Sequence, residues 1–178
     1  MKKRKDDSLW NDRGYSLVEI LVVIAIAAIL VGFASLGVLT IYNANVNKAA
    51  TTFESLLTAS RTTSMSKGTD AGKLILTMDD GNLYGQIGDD GEMQLICNKN
   101  VTVYKNQYYS ASDYDGHDVS SPWTTGTITI EFLPSGRVKD SDDATNNICK
   151  LIFSRGTTRN FEIILYRETG KHARNSFS

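Results

Sequence analysis

The sequence predicts an α+β chain, a long amino-terminal helix followed by an antiparallel β-sheet, and three observations carry that expectation. No Asp, Glu, Lys or Arg occurs between Glu19 and Lys48, although charged residues make up 22% of the 178 residues. Apolar residues then recur at helical spacing as far as Ser60. Beyond Gly68 the period of the pattern changes to two.

The first fourteen residues, MKKRKDDSLWNDRG, carry five basic and three acidic side chains and no apolar run, so they cannot insert into a bilayer. From Tyr15 the chain turns abruptly apolar. Ile20 to Leu39 alone is 20 residues, which as a helix spans about 30 Å, the thickness of a bilayer's hydrocarbon core. Lys2, Lys3, Arg4, Lys5 and Arg13 would hold the start in the cytoplasm and place the carboxy-terminal bulk outside. A secretory signal peptide has a shorter apolar run, roughly 7 to 15 residues, followed by a small-residue cleavage site; here only Ala34-Ser35-Leu36-Gly37 offers one. A plain membrane anchor explains the length of the run and leaves Glu19 unexplained, since a carboxylate in an apolar span usually has a functional partner.

Helical character continues past the apolar run. Val46, Ala49, Ala50, Phe53, Leu56, Leu57 and Ser60 share one face, while Asn47, Lys48, Thr51, Glu54 and Thr58 fill the other. The spacing predicts one helix from Tyr15 to about Ser66, ended by Lys67 near the negative terminus and by Gly68 as a left-handed cap.

Strands follow in short segments. Lys73–Met78, Asn82–Ile87, Met93–Cys97 and Val101–Tyr104 are separated by Asp80-Gly81-Asn82 and Asp89-Asp90-Gly91, which suit hairpin turns. Thr127–Phe132, Ile148–Ser154 and Phe161–Tyr166 add three more, for an antiparallel sheet of six or seven strands packed on the helix. Asn106 to Trp123, rich in Tyr, Ser, Asp and Gly, reads as a long surface loop.

Composition excludes several classes of function. With 19 basic and 20 acidic residues the formal net charge is -1, so no global field favours nucleic acid or an anionic membrane surface. His117 and His172 lie far apart in polar surroundings. Pairing Ser110 or Ser112 with His117 has no supporting motif, and no GxSxG, HExxH, P-loop or GxGxxG is present; the expectation is a protein that is not an enzyme and carries no cofactor. A structural calcium site has candidate hard oxygen ligands at Asp113–Asp118 and Asp140–Asp143, without EF-hand spacing; turn chemistry explains their Asp-Gly content more economically. Tyr104, Tyr108, Tyr109, Tyr114 and Trp123 form an aromatic group without nearby phosphate-binding charge. Basic residues gather instead at Arg155, Arg159, Arg167, Lys171, His172 and Arg174, where DNA contact and solvated strand ends are the two readings. Cys97 and Cys149 show no metal-ligand spacing. Either they pair as a disulfide in an exported domain, closing a loop for about 4 kcal/mol, or they are two buried thiols.

Gly14-Tyr15-Ser16-Leu17-Val18-Glu19, the basic leader before it and the apolar run Ile20–Ile26 after it resemble the class III signal of type IV prepilins and type II secretion pseudopilins. The resemblance implies that a membrane prepilin peptidase cuts between Gly14 and Tyr15 and methylates the new Tyr15 amine. It also implies that Glu19 supports assembly by attracting the amino-terminal charge of a neighbouring subunit. Pseudopilus tip subunits characteristically lack this Glu, and many major pilins carry a Pro within the helix; this chain has the Glu and lacks the Pro. A second resemblance, to GspH/FimT-type minor pseudopilins, rests on Leu57-Thr58-Ala59-Ser60-Arg61-Thr62-Thr63-Ser64, on Phe132-Leu133-Pro134-Ser135-Gly136-Arg137 and on Ile163–Lys171 with its closing Gly170.

Together these imply a leader at 1–14, a transmembrane and filament-core helix at 15–42, an amphipathic continuation at 43–67 and a β-rich head at 68–178. The implied function is a minor structural subunit that helps initiate or cap an envelope-spanning filament, a single-pass membrane protein with its head outside the cytoplasm. Its implied partners are other pilin subunits, the peptidase, the inner-membrane assembly platform, and DNA or a secreted substrate. The alternatives are an anchored binding protein that never polymerises and a secreted enzyme.

Overall fold

The computed structural model describes residues 16–107, 121–140, 148–156 and 160–177, with the side chains of 33–39 and 107 outside that set. The chain divides into two units, Met1–Val38 and Leu39–Ser178. The architecture is α+β, as expected.

Helix α1 runs Leu17–Lys67, 51 residues. Its first turn closes through the Ile20 amide, which donates to the Ser16 carbonyl at 3.2 Å, so the regular helix begins two residues beyond the Tyr15 start that periodicity suggests. At the other end the Gly68 amide donates to the Ser64 carbonyl at 3.0 Å. Gly68 takes φ +96° and ψ 167°, an extended conformation open to glycine rather than the left-handed helical cap expected.

In the second unit, the α1 face predicted to be apolar is buried throughout: Val46, Ala49, Ala50, Phe53, Leu56, Leu57 and Ser60. Asn47, Lys48, Thr51 and Thr58 are exposed. Sequestering side chains the size of Phe53 and Leu57 stabilises by roughly 1.5–3 kcal/mol each, so packing rather than intrinsic propensity holds this part of the helix. Just beyond, the short helix α2 (Thr69–Gly72) turns the chain back on α1. Gly72 sits so close that a Cβ there would lie 2.3 Å from the Ser64 amide nitrogen. Only glycine fits.

Among the described residues eight strands follow: β1 (Leu74–Asp79), β2 (Asn82–Ile87), β3 (Gln94–Cys97), β4 (Thr102–Gln107), β5 (Gly126–Ile130), β6 (Ile148–Ser154), β7 (Asn160–Tyr166) and β8 (Lys171–Phe177). The β1–β2 hairpin has the turn its sequence predicts. Asp80 and Gly81 both take positive φ, 44° and 75°, the conformation whose twist matches that of the flanking strands.

The strands form two four-stranded antiparallel sheets, ordered β3-β2-β1-β5 (sheet A) and β4-β6-β7-β8 (sheet B), which corrects the expected single sheet of six or seven. The division arises after β3. The Asn98–Val101 turn, closed by the Val101 amide on the Asn98 carbonyl at 3.0 Å, releases β4 from sheet A. β4 then pairs with β6, Thr102 opposite Ser154, while β5 returns to the free side of β1. One apolar core joins both sheets to α1; Phe53 and Phe153 meet within it at 5.9 Å between ring centroids.

Cys97 on β3 and Cys149 on β6 are buried thiols in different sheets. The Cys149 thiol donates to the Asn106 carbonyl at 3.3 Å. On the second face of sheet B, Lys150 and Glu162 are fully buried with Nζ and Oε2 3.9 Å apart, and the Asn175 amide donates to the other Glu162 oxygen at 3.0 Å.

Candidate functional site

The site begins with the exposed apolar side chains at the start of α1. From Leu17 to Val31 every large aliphatic residue is exposed, Leu17 at 80% and Val31 at 71%. An aliphatic face all round a helix is stable only when lipid or other helices cover it. Glu19 is the acidic residue of the first turn, where the unpaired amides of a helix terminus favour a negative charge. The helix end thus carries one carboxylate at the rim of an apolar cylinder. Gly14 and Tyr15 lie outside the described residues. Among the described residues no helix is long and apolar enough to cross a membrane. The described apolar side chains stop at Gly32, whereas the run read from the sequence continues to Leu39 through the seven residues 33–39 whose side chains are outside that set.

The segments of the second resemblance, scattered in sequence, converge at the far end of α1. Arg61 donates through Nε to the Gly136 carbonyl at 2.9 Å and through a terminal nitrogen to the Thr169 carbonyl at 3.1 Å. One planar guanidinium therefore ties α1 to two turns. Those turns touch: a Cβ on Gly170, where φ is +62°, would lie 1.8 Å from the Gly136 carbonyl oxygen. Phe132, which opens the first turn segment, is fully buried.

The basic residues of the carboxy-terminal part are mostly engaged within the chain, so solvated strand ends is not what their geometry shows. Arg174 donates to Thr51 at 3.1 Å and Glu54 at 3.3 Å, contacts Asn47, and lies over the Phe161 ring at 4.2 Å. Arg155 stacks on Tyr42 at 3.6 Å, and Arg167 pairs with Asp140. Lys171 and His172 instead line a cleft beside α1. Arg159 lies outside the described residues. So do Asp113–Asp118, Ser141–Asp143, His117, Ser110, Ser112, Tyr108, Tyr109 and Tyr114. Among the described residues no group of three His, Cys, Asp or Glu side chains could hold a metal ion. Trp123 is buried rather than on a loop surface, its indole donating to the Thr125 carbonyl at 2.8 Å. Sequence reasoning missed the acceptor role of the Thr169 carbonyl, since backbone acceptors leave no residue signature; the paired glycines at 136 and 170 were the available sign.

The described part of α1 from Leu17 to Val31 thus presents an exposed aliphatic surface with one acid, Glu19, near its start. Residues 11–35 match the family model for the prokaryotic N-terminal methylation motif, so the chain carries a type IV prepilin-like class III signal. Neither the curated proteins nor the solved structures give a match.

Proposed function

We propose that this chain is a structural subunit of a type IV pilus or type II secretion-type pseudopilus. Prepilin peptidase cuts it between Gly14 and Tyr15 and methylates the Tyr15 amine. The mature helix anchors the subunit in the membrane as a single pass with the head outside, until the assembly platform passes it into a filament. The observation that carries this reading is Glu19, alone in a helix whose aliphatic surface is otherwise continuous and exposed within the matched motif. An ammonium and a carboxylate about 4 Å apart attract with ~1 kcal/mol in water and ~4 kcal/mol at the effective dielectric of a protein environment. A neighbour's cut amino terminus therefore satisfies Glu19 inside a helix bundle, where an unpaired carboxylate is costly. The meeting of Arg61, Gly136 and Gly170 supports a GspH/FimT-type minor subunit that helps initiate or cap the fibre.

Mass spectrometry of the membrane-bound protein tests this directly. Loss of residues 1–14 with a methylated Tyr15 is the expected result, and Gly14→Val should leave the precursor uncut. An intact Met1 terminus in cells that hold the peptidase would point instead to an anchored binding protein.

A further inference from the structure

Each sheet has two edge strands, β3 and β5 in sheet A and β4 and β8 in sheet B, and β3 and β8 are the pair of interest. The two edges differ in chemistry. The connection leading into β3 carries Asp89, Asp90 and Glu92, followed by Met93 and Leu95, which are 58% and 49% exposed. Asp89 is held by Lys73 at 2.7 Å, whereas among the described residues Asp90 and Glu92 are exposed and form no ion pair. Beside β8, Lys171 and His172 join Thr58, Arg61, Thr62 and Met65 of α1 around a cleft of about 260 Å³. Met65, at 51% exposure, gives that cleft an apolar wall. One edge is acidic and apolar, the other basic and apolar.

They also lie on opposite sides of α1. Glu54 faces β8 through Arg174. Leu56 reaches Gly85 of β2, which Ile96 of β3 also adjoins, and two residues turn a helix by about 200°. A contact between the two surfaces on the same molecule is therefore excluded. A contact between different molecules is heterologous, and such a contact repeats from copy to copy without needing to close.

We propose that the acidic turn Asp89–Met93 of one copy seats in the cleft of Lys171, His172 and Met65 on a second copy, so that the heads of adjacent subunits join in a head-to-tail series. This rests on the filament-subunit reading and specifies its head contact. Glu92 and Asp90 face Lys171 and His172, and Met93 lies against Met65. Charge complementarity sets the register of the heads, and helix packing supplies most of the affinity.

The test uses the full-length chain, produced with its processing and assembly machinery. A Met65→Cys/Met93→Cys double variant should give, on mild oxidation of assembled filaments, a ladder of dimer, trimer and longer species. The two single variants assembled together should stop at dimers, and either alone should give none. Lys171→Glu or Glu92→Lys, added to the cysteine pair, should cut the cross-linked yield about tenfold, since like charges facing each other across an interface are strongly disfavoured. Combining both reversals should restore the ladder, which a merely structural role for either residue would not do. Processed chains in fibres that give no ladder, or a double reversal that fails to rescue, would overturn the contact and leave the filament reading standing. Cross-links from Met65→Cys to a different protein alone would overturn the second copy as the occupant. An uncut chain without fibres would overturn the filament reading and this contact with it.

Discussion

Gly170→Ala is the sharpest probe of the junction between α1 and the two turns. The new Cβ would start 1.8 Å from the Gly136 carbonyl oxygen and must reach at least 3.0 Å, so the turns have to part by about 1.2 Å. Arg61 holds one carbonyl of each turn, at 2.9 and 3.1 Å. Lengthening either bond by that amount carries it past the 3.5 Å limit of a hydrogen bond. The left-handed backbone adds ~1–2 kcal/mol for any residue with a Cβ. Losing one charge-assisted bond adds about 1.5 kcal/mol, the low end of the range, because the half-exposed Arg61 is rehydrated. The expected total is about 2.5–3.5 kcal/mol. Gly156→Ala is the matched control, since Gly156 has nearly the same φ, +60°, but nothing stands within 4 Å of its Cβ position; it should cost ~1–2 kcal/mol from backbone strain alone. Urea unfolding of the mature chain in mild detergent, followed by Trp123 fluorescence, reads the difference as a midpoint shift of about 1 M or more for Gly170→Ala. A cycle with Arg61→Ala should show the two changes to be less than additive, coupled by about 1 kcal/mol. The account is refuted if Gly170→Ala costs no more than Gly156→Ala, or if its effect adds in full to that of Arg61→Ala.

Other outcomes follow from the buried and exposed charges. Lys150→Met should destabilise the head by roughly 3–5 kcal/mol because it removes a positive charge beside a buried carboxylate, while Lys150→Met/Glu162→Leu should recover most of that loss; equal midpoints for single and double variants would refute it. Burial pushes the Cys97 thiol from 9.0 up to about 12, against a smaller opposing pull from the Leu83 backbone. Below pH 9 the thiol is neutral folded and unfolded, and its contribution is complete; between pH 9 and 12 only the unfolded chain ionises, and stability falls. The unfolding free energy should therefore drop by about 1 kcal/mol more between pH 9 and 10 in the native chain than in Cys97→Ala, and parallel pH profiles would count against it. Glu19→Ala should lose its leader at the normal rate yet stay out of fibres, which fractionation of sheared filaments from membranes will show; normal incorporation would remove the charge-pairing account.

Local patterns made most of the fold legible. The buried face of α1 could be read from Val46 to Ser60 because helical period and burial report the same constraint, and the β1–β2 turn could be read because Asp80-Gly81 tolerates positive φ. The division into two sheets was hidden. It depends on β1 meeting β5 and β4 meeting β6, pairings between segments far apart in sequence that no local pattern encodes. β8 was missed because Lys171–Phe177 lies at an edge, with polar residues that show no alternation of burial. The candidate site divides the same way. Glu19 is conspicuous in the sequence through the absence of other charges around it, and Arg61 stood in a recognisable segment. Its two acceptors are backbone carbonyls, and the inward course of Arg155 and Arg174 toward Tyr42 and α1 follows only from the folded chain.

No strand belongs to both sheets among the described residues; what the sheets share is the core beneath them and the side of α1 that faces it. A pull directed along α1 is thus opposed by sliding a greasy seam past two separate hydrogen-bonded ribbons, with Arg61 and Arg174 as the polar rivets.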